Sequence, residues 1–307
     1  MTERTVRGAG IDLAVTERGD GTRPTVVLVH GFPDTSAVWD PVAELLAVDF
    51  HVVTYDVRGA GKSGTPAGRA DYALPLLVED LAAVVDAVSP DAPVHLVAHD
   101  WGSIQSWEAV VTGKLAGTFA SYTSISGPPL DHAALWARRH RSLRPSEMVT
   151  ALRQALHSWY IAFFHMPWLP DLFARTGANP AVWARSLHRL EGAAADATWP
   201  APTLPSDFAH GVQLYRANVR PKFRNPVAGH TDTPVQIIVP TKDRFVTASL
   251  LEGLESWSTT VWRRNVDAGH WVIRTHPKEI TAWVSEVIAF VDDGTESSDL
   301  AQWRLAS

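Results

Sequence analysis

Val94–Gln105, VHLVAHDWGSIQ, is the stretch that decides the fold. Apolar side chains at Val94, Leu96, Val97 and Ala98 lead into Asp100, which stands between a histidine and a tryptophan with Gly102 close behind. A short apolar run that halts at a charged residue and a glycine is the pattern of a parallel strand where it meets a helix. Helical spacing follows, with Ile104, Trp107, Glu108, Ala109 and Val110 running unbroken to Gly113. A tight turn between the two needs small residues two before and two after its apex, because backbone from both sides crowds there. Ala98 and Gly102 flank Asp100 in that way. Such a turn is a nucleophile elbow, whose strained backbone lifts one side chain above the sheet and puts the next residue's amide beside it. Asp100 would be the lifted group. Aspartate is also a favoured helix N-cap, and these residues alone leave both readings open.

The 307 residues are 46% hydrophobic, enough for one large core with an insertion, and a chain of this size buries roughly three quarters of its unfolded surface. A net charge of −6 and a pI near 6.1 argue against a nucleic-acid binder, which would show a basic balance. With no cysteine, disulfides and thiolate chemistry are excluded. The opening residues, MTERTVRGAGIDL, contain no apolar core of signal-peptide type, and no apolar run approaches the eighteen or so residues of a membrane span. The expectation is a soluble cytoplasmic protein.

Outward from the elbow, strand-like runs recur: IDLAVTERG, TVVLVHG, HVVTYDV, ASYTSIS, VQIIVPTKD and TVWRRNVDAGH. Helical spacing separates them in AVWDPVAELLAV, LPLLVEDLAAVVDAV, ASLLEGLESW and HPKEITAWVSEVIAFV. This alternation predicts an α/β protein with a mostly parallel sheet. From Pro128 to Thr233 it stops, and a stretch rich in Trp, Phe, Leu and Arg and broken by prolines reads as a helical insertion. The core is therefore expected at 1–127 and 234–291, the insertion at 128–233, and a polar, poorly packed tail at 292–307. Ligands of open α/β sheets bind beyond the carboxyl ends of the strands, so an insertion leaving there would roof the site.

GAGKSG, Gly59–Gly64, mimics a phosphate-binding loop, yet Asp56 stands where that motif needs glycine and TPAGR cannot open the required helix. A connecting loop is the reading. Thirteen histidines form no helical metal pair, and neither metal nor cofactor is implied. His270 differs from the rest, because AGHW follows the last strand pattern, while Asp243 ends the strand before it. Asp100, Asp243 and His270 thus come in the chain order nucleophile, acid, histidine at one sheet edge. His30-Gly31-Phe32-Pro33 ends another strand there, and the amides of Phe32 and Trp101 are placed to form an oxyanion hole.

HGFPD, DVRGAGKS, HDWGS, TKD and AGHW together resemble the α/β-hydrolase superfamily and, within it, the epoxide hydrolases, over residues 11–291. The resemblance implies an eight-stranded, mostly parallel sheet with an inserted helical lid. It implies Asp100 as nucleophile and two lid tyrosines, for which Tyr160 in YIAFFH and Tyr215 in LYRAN match the family's segments; Phe163, His165 and the extra Ala217 depart from them. The chain has five tyrosines, so two at these places carry weight. AHDWGSIQSWE, TSISGP and THPKEITAW are most similar to actinobacterial proteins in which such a hydrolase precedes a short-chain dehydrogenase; this chain contains no dinucleotide motif of that second kind.

A carboxylate suits a reaction that alkylates the nucleophile, since an ester at Asp100 can be hydrolysed where an ether at serine could not. Tyr160 and Tyr215 would donate to the opening epoxide oxygen, and His270, oriented by Asp243, would activate water. The expected partner is a small hydrophobic epoxide, with Pro33, Trp159, Phe163, Phe164 and Trp271 as pocket residues; Met166, Trp168, Leu169 and Phe173 extend the same apolar roof, for which lid core is the plainer reading. Haloalkane dehalogenase is the competing enzyme, but it needs a second halide donor where Phe32 offers no side-chain N–H. A silent binding protein of this fold would be expected to lack part of the set, and every member is present. The run WARRHRSLR, Trp136–Arg144, reads as a solvated helix face rather than a membrane patch.

Overall fold

The computed structural model describes residues 1–140 and 144–305. Its sheet contains β1 (Thr2–Arg7), β2 (Asp12–Arg18), β3 (Thr25–Val29), β4 (His51–Tyr55), β5 (Val94–His99), β6 (Phe119–Ile125), β7 (Val235–Pro240) and β8 (Val261–Val266). They lie in the order β1-β2-β4-β3-β5-β6-β7-β8. β2 pairs antiparallel with both β1 and β4, and every other neighbouring pair is parallel. Around the sheet run α1 (Asp40–Leu46), α2 (Leu74–Val88) and α3 (Trp101–Val111). Between β6 and β7 come α4 (Leu130–Arg139), α5 (Pro145–His157), α6 (Trp159–Phe164), α7 (Leu169–Thr176), α8 (Pro180–Glu191) and α9 (Leu204–Arg224). After β8 follow α10 (Val272–Thr275), α11 (Pro277–Asp293) and α12 (Ser298–Ala301).

β3, β4, β5 and β7 are buried at every position, which is why their sequences read as near-continuous apolar runs. One face is covered by α2 and α3 through Leu81, Val84 and Trp107, the other by α1 and α11 through Val42, Leu46, Ile280 and Val284. Each fully buried side chain of this kind stabilises the fold by about 1.5 to 3 kcal/mol relative to exposure. Among the described residues no helix is long and apolar enough to cross a membrane.

Three elements differ from the sequence expectation. β1 was hidden because TERTVR is an edge strand that buries only Val6, so no alternation announces it, although it pairs with β2 over all six residues. ASLLEGLESW forms two 3-10 turns, Ala248–Leu251 and Leu254–Trp257, separated by Gly253 at φ +86°. Its buried Leu250, Leu251, Leu254 and Trp257 fall at helix-like intervals without a helix beneath them. The tail is not poorly packed. Leu300 of α12 is fully buried against Trp262 and Val287, the Arg263 amide donates to Trp303 and the Leu305 amide to Val261. β8 is an edge strand whose free backbone groups need partners, and the tail supplies them.

Of the basic run at Trp136–Arg144, residues 141–143 lie outside the described residues. Trp136 itself is buried and stacks on His140 at 4.0 Å between ring centroids. In the glycine-rich loop at 59–64 two amides go to carboxylates, Lys62 to Asp56 at 2.8 Å and Gly61 to Asp207 at 3.0 Å, while Asp56 also accepts from the Ser36 amide at 2.8 Å.

Candidate active site

Asp100 sits between β5 and α3 with φ 53° and ψ −125°, a conformation that costs an L-residue on the order of 1 to 3 kcal/mol and persists only where its surroundings over-determine it. The Asp100 amide donates to Ile125 at the end of β6, and its carbonyl accepts from Ile104 in the first turn of α3, both at 3.0 Å. Ala98 is fully buried, and a Cβ at residue 102 would meet the Val29 carbonyl at 2.2 Å, so only glycine lets α3 leave that close to β3. Asp100 caps nothing with its side chain. Its Oδ1 instead accepts from the Phe32 amide at 2.7 Å. Trp101 opens α3, so its amide is one of those a helix leaves without an internal partner.

Asp243 and His270 come together beside it. The Asp243 Oδ1 accepts from the amides of Phe245 (2.7 Å) and Val246 (3.0 Å), and its Oδ2 accepts from His270 Nδ1 at 2.8 Å. Because Nδ1 carries the donated hydrogen, Nε2 is the nitrogen turned to Asp100, with Oδ2 at 3.6 Å. Burial alone would favour neutral His270, but the charges of Asp243 and Asp100 outweigh it and hold the histidine well above its ordinary pKa. Burial would likewise raise Asp243, yet the His270 charge and the donated hydrogen bonds leave it lowered. The pair is thus an ionised carboxylate fixed on an imidazolium.

Tyr160 of α6 and Tyr215 of α9 line the same cavity as Asp100, a hollow of about 890 Å³. Their rings stand perpendicular with centroids 5.9 Å apart, and Tyr215 also packs edge-on against Trp101 at 4.8 Å and Phe32 at 5.4 Å. Burial, followed by nearby Asp100 and Asp243, raises Tyr160; burial, then Tyr160 and Asp100, raises Tyr215. Both therefore stay protonated as donors. Ile104, Leu130, Trp136, Ile161, Val219 and Phe245 make much of the wall apolar.

None of the five residues expected to line this cavity does so. Trp159 is 66% exposed, and Phe163 packs toward Phe173. Phe164 is wedged among Phe32, Phe208 and Tyr215 behind the wall. Pro33 is buried in the Phe32 turn, and Trp271 is turned away to donate to Asp34 at 2.9 Å. Met166, from the apolar roof, does line the cavity.

Other groups at the site were not legible in the sequence. His99 lends its Nε2–H to the His270 carbonyl at 2.9 Å; burial, then the His270 charge, lowers its pKa to about 4, so it is neutral. Asp34 is clamped by the indoles of Trp199 (2.6 Å) and Trp271 (2.9 Å), and burial lifts its pKa to about 6 against those bonds. Glu191 reaches down from the end of α8 with its side chain only 3% exposed and Oε2 against the backbone of Gly269 and His270. A Cβ at residue 269 would stand 1.8 Å from that oxygen, which explains the glycine before His270. Ser126, at φ 52°, lines the cavity with a buried, unpartnered hydroxyl. A strand-end HGFPD or ISGP signals a turn; it does not reveal which indole or helix end will meet it.

The family described as alpha/beta hydrolase fold matches residues 24–277. The protein named "Probable oxidoreductase EphD" of Mycobacterium tuberculosis is 36% identical over 295 residues, covering 94% of this chain and 49% of that one. "Epoxide hydrolase A" of the same organism is 31% identical over 192 residues, 62% of this chain and 54% of that protein. The chain spans about half the length of these curated relatives. An epoxide hydrolase from Bacillus megaterium superposes with a TM-score of 0.76 at 21% identity, over 93% of this chain and 99% of that one, a likeness of fold.

Proposed function

Because this chain belongs to the α/β-hydrolase fold family, in which a strand-to-helix turn presents the nucleophile, we propose that it is an epoxide hydrolase working through an ester on Asp100. The observation that carries this reading is that two protonated tyrosines share one cavity with a lifted carboxylate. Oδ1 already rests on the Phe32 amide and becomes the ester carbonyl, while Oδ2 attacks a ring carbon and the C–O bond opens. Tyr160 and Tyr215 hydrogen-bond the departing oxygen and supply its proton as charge develops. His270 then takes a proton from water, which attacks the ester carbonyl; the Phe32 and Trp101 amides hold the oxyanion, and its collapse releases a vicinal diol as His270 returns that proton to the departing oxygen and the second water proton restores the tyrosine.

The mostly apolar wall supports a hydrophobic epoxide as substrate, and residues 128–233 act as the lid over a core of 1–127 and 234–291. Of the two mycobacterial relatives, Epoxide hydrolase A carries a name that supports the epoxide reading, whereas EphD is named an oxidoreductase. One residue favours a second reading: Trp101, which follows the elbow and lines the cavity, carries an indole N–H of the kind that holds a halide in a dehalogenase. A single turnover in ¹⁸O-water with enzyme in excess tests both. The ester route puts the label into Asp100 and leaves the first diol unlabelled. Label in the first diol would reject the ester; no diol, with halide released from haloalkanes, would favour dehalogenation.

A further inference from the structure

His270 is held from a direction that the triad does not explain. Its backbone offers an N–H and a carbonyl, and side chains from two different layers take them. His99, at the end of β5, donates to the carbonyl at 2.9 Å. The amide donates to the carboxylate of Glu191, the last residue of α8, which belongs to the insertion between β6 and β7. Gly269 lets the two come close, because a Cβ there would overlap the Glu191 Oε2. The Glu191 side chain is buried, and the Nε of Arg244 lies 3.6 Å from its Oε1.

A carboxylate buried this deeply costs free energy unless its lone pairs are met. Packing alone would be served by an apolar side chain, as it is at Leu187 one turn earlier on α8. The insertion also grips the loop that carries the acid. Gln154 of α5 donates to the Phe245 carbonyl at 3.1 Å and accepts from the Thr247 hydroxyl at 2.6 Å. His157 donates to the Arg244 carbonyl at 2.8 Å. Inserted helices thus fasten the segments of both Asp243 and His270, and Glu191 is the fastening on the histidine's own backbone.

We infer that Glu191 is a positioning residue for His270: by holding its backbone, it fixes the imidazole where water is activated against an ester on Asp100. The step it serves rests on the epoxide reading, whereas the hold on His270 does not. Ring opening uses Asp100 and the tyrosines, so Glu191 serves the second half-reaction and leaves the first alone. Its charge has a separate share. When His270 takes a proton from water it becomes a cation, and Glu191 stands with Asp243 and Asp100 among the anions that stabilise it. Asp34 also senses that charge, the half-exposed Arg244 offsets part of the Glu191 charge, and His99 is neutral.

Variants of the whole chain separate the hold from the charge. Glu191→Gln keeps an oxygen that can accept from the His270 amide and removes the charge, while Glu191→Ala removes both. Glu191→Met, which fills the same space without an acceptor, replaces the alanine variant if that one does not fold. Single turnovers of styrene oxide, followed by rapid quench and intact-protein mass spectrometry, read the two half-reactions. Glu191→Ala should slow decay of the ester on the order of 10- to 100-fold, the penalty of a misplaced group, and change its formation less than about twofold. Glu191→Gln should recover most of that rate, with its acid limb at lower pH. Two readouts need no substrate. By ¹⁵N-histidine NMR, His270 should titrate at lower pH in Glu191→Gln than in the parent, and its amide should exchange faster in Glu191→Ala and at the parent rate in Glu191→Gln. Amide exchange unchanged in the alanine or methionine variant would overturn the hold; a His270 titration unchanged in Glu191→Gln would overturn the charge. Equal slowing of ester formation and decay would reduce Glu191 to packing. Absence of any ester in the parent would count against the epoxide reading, and the NMR arm would still decide the hold on His270.

Discussion

A carboxylate that shares an edge with a histidine and two tyrosines changes the chemistry of its neighbours when it is esterified. In the free protein Asp100 helps Asp243 hold His270 protonated against burial. On the proposed route Asp100 becomes an ester and loses its charge, so the His270 pKa falls at the stage where that route needs a neutral base. Hydrolysis of the ester is lost as pH falls through that lower value. Its acid limb, measured by rapid quench, should therefore lie at lower pH than the His270 titration followed by NMR in the free protein; coincidence of the two would remove Asp100 as a cause of the shift. The tyrosines make a second residue-scale prediction. Tyr160→Phe and Tyr215→Phe should each slow ring opening, and the double variant should lose about 10² to 10⁴ in the single-turnover rate, the usual contribution of a positioned proton donor. A double variant that opens rings as fast as the parent would withdraw both roles.

At the scale of elements, what could be read in the sequence and what could not divide along a physical line. Asp100, Asp243 and His270 were legible because strand ends have a fixed order on one sheet edge, and each is followed by a turn that sequence marks. The pocket was not, because α6 has only six residues and its neighbours point to different sides: Tyr160 and Ile161 face the cavity, while Phe163 and Phe164 face α7 and α9. Apolar character told that they pack, without telling against what. Helix α9 meets the core in a way no pattern announced. Asp207, bonded to Thr203 at 2.6 Å and to the Gly61 amide at 3.0 Å, is raised by burial to a pKa of about 7. An acid whose folded pKa is raised stabilises the fold fully below its unfolded value, 3.8, and loses that contribution as pH climbs through about 7. Wild-type melting temperature should thus decline more steeply from pH 4 to 8 than that of Asp207→Asn, by differential scanning calorimetry. Parallel profiles would mean that Asp207 does not carry the buried charge assigned to it.

Over the whole molecule, the α/β alternation, the insertion after β6 and the elbow all followed from strand runs that are buried on both faces. The first strand and the tail escaped because both lie at sheet edges, where half the residues meet water and the pattern thins. What unites core and insertion is one chemical claim: substrate carbon becomes bonded to Asp100, and His270 is needed only to free it. His270→Gln separates those steps. Intact-protein mass spectrometry after exposure to an epoxide should show an adduct equal to the entire mass of that epoxide, stable over many wild-type turnovers and absent from an Asp100→Asn/His270→Gln protein. A folded His270→Gln protein that shows no adduct with epoxides, yet gains the alkyl mass of a haloalkane with halide released, would contradict the account.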